Sequence, residues 1–267
     1  MSDNIVYFVQ ISDTHIGPEP GYANHGAVAL PAAQQLVDII NQLPIRPDFV
    51  IHTGDVVTNP HPQAYELARE TFGRLSLPIY YVRGNHDSAQ DIKSYLDMGP
   101  AADLSASAGQ LIYRFEVKGH RFLVLDTQGP PELDPQGYLS PEQMRLLHEE
   151  VAADGRPLTI FIHHPLLPLD SPWMDANMLV MNGAEVHRAL LPARDRLRGV
   201  FLGHIHQSIQ AVRDGILYVA AASSFDQMST WPHEEIVGHL HDEPPGFNFV
   251  RLMDNQTLVR QHRFQRL

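Results

Sequence analysis

Short apolar runs recur along the chain, and each breaks off into polar residues. NIVYFVQI, PDFVIHT, LPIYYVRG, PLTIFIHH and RGVFLGH are rich in β-branched and aromatic residues and bounded by proline, glycine or charge, the pattern of buried strands. The stretches between the early runs have helical spacing. LPAAQQLVDIINQL brings Leu30, Ala33, Leu36, Val37, Ile40 and Leu43 to one face, and HPQAYELARETFGRL does so less regularly. Further on, SPEQMRLLHEEVAA opens with Ser140 as an N-cap and Pro141 at the first helical position, and GAEVHRALLPARDRL is a further predicted helix. LIYRFEVKGHRFLVLDT reads as a hairpin turning at Lys118 and Gly119, and DGILYVAAAS and GFNFVRLMDNQTLVRQHRF add strands near the C-terminus. The alternation predicts an α/β fold.

Composition narrows the class. A chain of 267 residues that is 43% hydrophobic and 19% charged can bury a full core, as one large domain or a domain with a small appendage. The formal net charge of -12 disfavours stable binding to duplex nucleic acid, which relies on neutralising phosphates. An anionic substrate therefore needs a local source of positive charge, such as a bound metal. The absence of cysteine excludes disulfides and thiolate zinc sites. The chain enters a strand almost at once, without a basic leader or an apolar stretch long enough to span a bilayer, so a soluble cytoplasmic protein without membrane insertion is expected.

The candidate chemistry sits where the strands end, the place where ligands collect in α/β sheets. Those ends carry Asp13 and His15, then Asp55, then Asn85, His86 and Asp87, then His163 and His164, and last His204 and His206. Oxygen and imidazole donors without sulfur suit Mn, Fe, Zn, Co or Ni. They outnumber what one tetrahedral zinc needs. Two metals sharing a carboxylate would use them, and a pair about 3.5–4 Å apart is a known clamp for displacement at phosphorus. The strand-end criterion sets aside His25, His52, His61, His120, His148, His187, His233, His239, His241 and His262 as non-ligands.

The blocks DTH (Asp13 to His15), GDVV (Gly54 to Val57), GNHD (Gly84 to Asp87), HHP (His163 to Pro165) and GHIH (Gly203 to His206) occur in that order. Together they resemble the signature of the calcineurin-like metallophosphoesterases. The intervening HHPLLPLDSPWMDANMLVMNGAEVHRALL and the late PPGFNFVRL are similar to class III cyclic nucleotide phosphodiesterases and their glycerophosphodiesterase relatives. The resemblance implies a four-layer α/β/β/α sandwich of two mixed sheets flanked by helices. It implies two metal ions, Mn, Fe or Zn, with Asp13, His15 and His206 on one, Asn85, His163 and His204 on the other, and Asp55 bridging them. His163 is chosen over His164 because the family pattern is His-x-Pro. Attack by a metal-bound hydroxide on a small phosphodiester would follow, with Asn85 and His86 touching the phosphate, His86 as general acid, and Asp87 either orienting it or capping a helix.

Trp173, Met174 and Asp175 are expected to line the substrate cleft, and Asn182 is added on resemblance alone. Arg83 stands where the family often has proline, serving either the anion or a salt bridge. Residues 1–225 would form the catalytic domain, with 248–267 completing it; the excursion 226–247 would cap the metals, make a homodimer contact or be a plain surface loop. The substrate is a cyclic nucleotide or a glycerophosphodiester; a phosphomonoesterase, a nuclease and a non-catalytic scaffold are the alternatives.

Overall fold

The computed structural model describes residues 4–253 and 255–266; the ends of the domain boundaries expected above at residues 1–3 and 267 lie outside the described residues. The main strands are β1 (Val6–Ile11), β2 (Phe49–His52), β3 (Ile79–Tyr81), β4 (Ala102–Asp103), β5 (Tyr113–Val117), β6 (His120–Val124), β7 (Leu158–Phe161), β8 (Leu197–Leu202), β9 (Gln210–Arg213), β10 (Ile216–Ala220), β11 (Gly246–Met253) and β12 (Gln256–Arg263). One sheet has the order β12-β11-β1-β2-β3 and the other β9-β10-β8-β7-β6-β5-β4. Both are mixed. β1, β2 and β3 run parallel while β11 joins β1 antiparallel, with Val6 opposite Leu252. β6, β7, β8 and β10 also run parallel. The predicted hairpin is present: β5 and β6 turn through Lys118 and Gly119, both at positive φ (49° and 80°) as a tight two-residue turn requires.

Helices cover the outer faces. α1 (Ala29–Asn41) and α2 (Pro62–Phe72) bury Leu36, Val37, Ile40, Tyr65 and Phe72 in the same core as β1 and β2. α4 (Pro141–Ala152) and α6 (Gly183–Leu190) pack on the second sheet through Met144, Leu147, Val186 and Leu190. The short α3 (Ala89–Tyr95) and α5 (Pro172–Asn177) lie in loops after β3 and β7. The Ser140 hydroxyl accepts from the Gln143 N–H as an N-cap should. The last predicted helix is shorter than its apolar pattern: Pro192 lacks an N–H, and the chain tightens into a 3₁₀ turn at Leu191–Ala193. No helix among the described residues is long and apolar enough to cross a membrane.

Aromatic rings fasten the sheets face to face. Phe8 on β1 stacks on Phe49 of β2 with centroids 5.2 Å apart and meets Phe161 and Phe201 of the second sheet edge-on at 5.6 and 5.1 Å. All four rings are buried. A buried amide chain runs beside them, from the Asn248 side chain to Gln10 and from Gln10 to the Leu202 carbonyl on the other sheet. Phe8→Ala should cost about 3–5 kcal/mol of stability, read from urea unfolding; a change below about 1 kcal/mol would mean that the seam does not hold the sheets together.

Candidate metal centre

The parallel strands deliver their C-terminal residues to one edge of the sandwich. Asp13 and His15 follow β1, Asp55 follows β2, Asn85 and His86 follow β3, His163 follows β7, and His204 and His206 follow β8. The backbone there is bent hard. Asp13, His15, Asp55, His204 and His206 all sit in the left-handed region, with φ of 53°, 44°, 55°, 71° and 52°, where each non-glycine residue costs on the order of 1–3 kcal/mol and persists only when its surroundings hold it. The glycines of the blocks are there for clearance. A Cβ on Gly84 would stand 2.1 Å from an Asp55 carboxylate oxygen, and one on Gly203 would stand 2.1 Å from the Ser12 hydroxyl and 2.8 Å from the Thr53 carbonyl.

Two groups of donors result. In one, His15 Nε2 and His206 Nε2 are 3.1 Å apart, His206 Nε2 is 3.6 Å from Asp13, and His15 Nε2 is 3.7 Å from Asp55. In the other, His163 Nε2 lies 3.1 Å from His204 Nδ1, 3.3 Å from Asn85 Oδ1 and 3.2 Å from the same Asp55 oxygen, Oδ2. Two of the far nitrogens are engaged: His163 Nδ1–H donates to the Thr53 carbonyl at 2.7 Å and His206 Nδ1–H to the Asp226 carbonyl at 2.8 Å. Imidazole nitrogens and carboxylate oxygens packed this closely favour a positive charge among them, and the donor set is one that could hold metal.

The electrostatics say the same. Burial opposes a charge on His163, but Asp55, Asp13 and the Thr53 carbonyl together push the imidazole pKa up to about 9, so the pocket favours positive charge. Burial would raise Asp55 as well, yet His163, His86 and His15 hold its carboxyl well below the usual range. Asp13, fully enclosed, is raised by burial. His15 and His204 are held well below the ordinary histidine value by burial and stay neutral.

Residues 6–208 match the family described as calcineurin-like phosphoesterase. The chain belongs to that family. Among its relatives are a probable glycerophosphodiester phosphodiesterase, GpdQ, of Arcobacter nitrofigilis, 28% identical over 94% of this chain and 90% of that protein, and the 3′,5′-cyclic adenosine monophosphate phosphodiesterase CpdA of Pseudomonas aeruginosa, 27% identical over 96% and 89%. Solved structures share the fold: a dimetal phosphatase from Danio rerio has a TM-score of 0.66 at 16% identity, covering 95% of this chain and 98% of its own. The four-layer mixed α/β sandwich is that of the metallophosphoesterases.

Around this phosphoesterase centre several expected residues take other places. Asp87 does not orient His86. Its buried carboxylate accepts from the N–H groups of Val56, Val57 and Gly84 at 3.1–3.2 Å, tying the β2 and β3 loops together, and burial lifts its pKa to about 7. The His86 ring is set by its Nδ1–H to the Thr58 carbonyl at 2.7 Å, and Ser88, not Asp87, caps α3. His164 is buried with Nδ1 2.7 Å from the Thr127 hydroxyl. Arg83 reaches the Asp126 carboxylate at 3.4 Å and the Gly109 and Asp87 carbonyls, turned to the loops rather than to the donors.

The donors open on a cavity of about 170 Å³ walled by His86, Trp173, Met178, Phe225 and Met228. Trp173 is where the sequence suggested. Met174 is fully buried in the second core, Asp175 accepts from the Leu169 N–H at 2.6 Å, and Asn182 brackets the backbone of Leu139 at 2.9–3.1 Å; all three are absent from the cavity wall because they brace the loop that carries Trp173 and the start of α6. Two histidines set aside above, His25 and His239, do line it; neither follows a strand of the main sheets, so the strand-end criterion passed over them.

Because a proton competes for His163, metal affinity should tighten as pH rises toward 9, by about tenfold per unit if one proton is released per ion bound, measured by chelator competition between pH 6 and 8. A flat profile would contradict the charge assignment. Gly84→Ala should weaken metal affinity about 10–100-fold by pushing Asp55 aside, with unaltered affinity as the contrary result.

Proposed function

We propose that this chain is a phosphodiesterase that hydrolyses small phosphodiesters, a 3′,5′-cyclic nucleotide or a glycerophosphodiester, with two metal ions drawn from Mn, Fe or Zn. The reading rests on the convergence of two donor groups on one Asp55 oxygen, beside a histidine that has a free ring nitrogen and faces the cavity. Asp13, His15 and His206 would hold one ion and Asn85, His163 and His204 the other. When bound, the ions supply Lewis acidity toward phosphoryl oxygens and lower the pKa of an attacking water.

The rest is the work of the chain's own side chains. With Nδ1–H engaged by Thr58, His86 offers Nε2 to the substrate. Burial opposes its charge, but Asp55 and the Thr58 carbonyl raise its pKa above the ordinary histidine value, so Nε2 carries a proton to donate to the departing alkoxide. The His86 backbone N–H donates to Asp55 Oδ1 at 2.9 Å, which keeps the acid and the shared carboxylate in fixed relation. Trp173, Met178 and Phe225 form an apolar wall that sheds water around the alcohol portion. The names of the two relatives above support a diester rather than a monoester, and the net charge of -12 weighs against long nucleic acids.

His86→Ala should retain its metals and lose about 10²–10⁴ in kcat on diesters with poor leaving groups; an unchanged rate there would remove the general-acid role. For the reaction class, kcat/KM of the Mn²⁺-loaded protein would be compared for 3′,5′-cyclic AMP, a glycerophosphodiester and bis(p-nitrophenyl) phosphate, with Asp55→Ala as the blank. Turnover of at least one diester well above the blank is expected, and no diester turned over would sink the proposal.

A further inference from the structure

Two small hairpins from distant parts of the chain meet on the wall of the cavity that the strand-end donors also line. Ala23–Asn24 pairs with Ala27–Val28 around His25 and Gly26, both at positive φ (47° and 82°), a tight turn that holds His25 at its tip. Gln227–Met228 pairs with His239–Leu240. The hairpins touch through their imidazoles: the His25 and His239 rings stack with centroids 4.0 Å apart and planes within 18°. Asn24, His25, Met228 and His239 all border the cavity.

His239 is held by a buried carboxylate. Asp226 is fully enclosed, and its Oδ2 is bonded to His239 Nδ1, while Oδ1 lies 3.1 Å from His241 Nδ1. The Asp226 N–H donates to the Ser223 hydroxyl at 3.1 Å, and its carbonyl receives the His206 ring N–H at 2.8 Å, so the carboxylate cannot drift. In the neutral ring, a carboxylate on Nδ1 keeps the proton on that nitrogen, and Nε2 then carries the lone pair. The His25 stack then fixes the plane in which that lone pair points. A buried aspartate holding one imidazole, with a second imidazole clamping its face, is more than packing of a surface loop requires; the two rings share the cavity wall with the apolar Trp173, Met178 and Phe225.

We propose that His239, positioned by Asp226 and stacked on His25, is a specificity-determining residue of this site: its Nε2 accepts a hydrogen bond from a hydroxyl on the alcohol portion of the diester. The inference rests on the phosphodiesterase reading and adds to it a requirement on the substrate, a hydroxyl in reach of the wall remote from the phosphate. A cyclic nucleotide and a glycerol diester each carry one. The chemistry needed is a neutral polyol arm, not a second anion.

The test uses a matched pair of diesters, 2,3-dihydroxypropyl 4-nitrophenyl phosphate and propyl 4-nitrophenyl phosphate, which share leaving group and size and differ in hydroxyls. The intact, Mn²⁺-loaded protein should prefer the dihydroxypropyl ester. His239→Phe keeps an aromatic ring against His25 but has no acceptor, and should narrow that preference about tenfold, the worth of one hydrogen bond. His239→Gln, which restores a carbonyl acceptor, should recover part of it. Asp226→Asn should lower the preference mainly through KM for the hydroxylated ester, because it disturbs only how the ring is held. Metal content is measured alongside, and if the Phe variant loses metal, the Gln variant's substrate ratio decides. If the wild type shows no preference, or the variants change both esters in proportion, His239 does not read the hydroxyl while the phosphodiesterase reading stands. If the wild type hydrolyses neither ester, both fall together.

Discussion

The donor set exists because two separate sheets are brought within hydrogen-bond distance at one edge. The His204 N–H, on a loop from the second sheet, donates to the carboxylate of Asp13, on a loop from the first, at 3.1–3.2 Å. Nothing local to either loop provides that contact. It depends on how far apart and at what angle the sheets pack, and that is set by the Phe8, Phe49, Phe161 and Phe201 seam and by the Gln10 amide reaching Leu202 across it. Hydrophobic packing is non-directional, so it brings the sheets together without fixing their register. Buried hydrogen bonds such as that of Gln10 penalise a slip, because a shift would strand a polar group in the core. The metal donors inherit their spacing from this combination.

The same constraint accounts for the bent backbone. A chain leaving a strand end must turn within two or three residues to aim an aspartate and a histidine at one point, and Asp13-Thr14-His15 and His204-Ile205-His206 do so by placing both donors at positive φ. The cost is offset by bonds that leave those loops little alternative: Asp13 N–H to the Gly54 carbonyl, His15 N–H to the Asp55 carbonyl, and the Ser223 hydroxyl to the Asp13 carbonyl. Held in this way, the donors are arranged by the fold itself, and Asp55 and Asp13 favour positive charge on the His163 ring among them.

How much of this could be read from the chain follows from which signals are local. The strands and their polar endings were legible because burial on both faces writes a continuous apolar run, as in Phe49–His52, and because glycine beside Asp55 and His204 marks clearance. The Lys118-Gly119 turn and the Ser140 cap were equally local. What was not legible depended on contacts between distant segments. Asp87 has the composition of a catalytic carboxylate, and only the fold reveals that it is spent on three backbone N–H groups. Asp175 and Asn182 lie in a segment that resembles phosphodiesterases, yet their side chains bond backbone groups, at Leu169 and at Leu139. Gln10 carried a weak signal, a polar residue inside an apolar strand, that marked it for a buried bond.

The excursion at 226–247 has no periodicity because its structure is set by what it touches. Arg266 bonds the carbonyls of Phe225 and His241, and Arg263 bonds Gln227, so the C-terminal arginines at and beyond the end of the last strand anchor the segment. Asp226 then does two jobs from one residue: its backbone carbonyl aligns His206 in the donor cluster, and its side chain holds His239 on the cavity wall. The strand-end donor cluster and the cavity wall are therefore joined through a single buried residue. A change in the position of this segment would be felt at both, which is a reason for the chain to fasten it from two directions, through the C-terminal arginines and through the ring of His25. The donor cluster and the wall of its cavity are mechanically one unit in this fold, although the residues that join them lie more than two hundred positions apart, from His25 to His239.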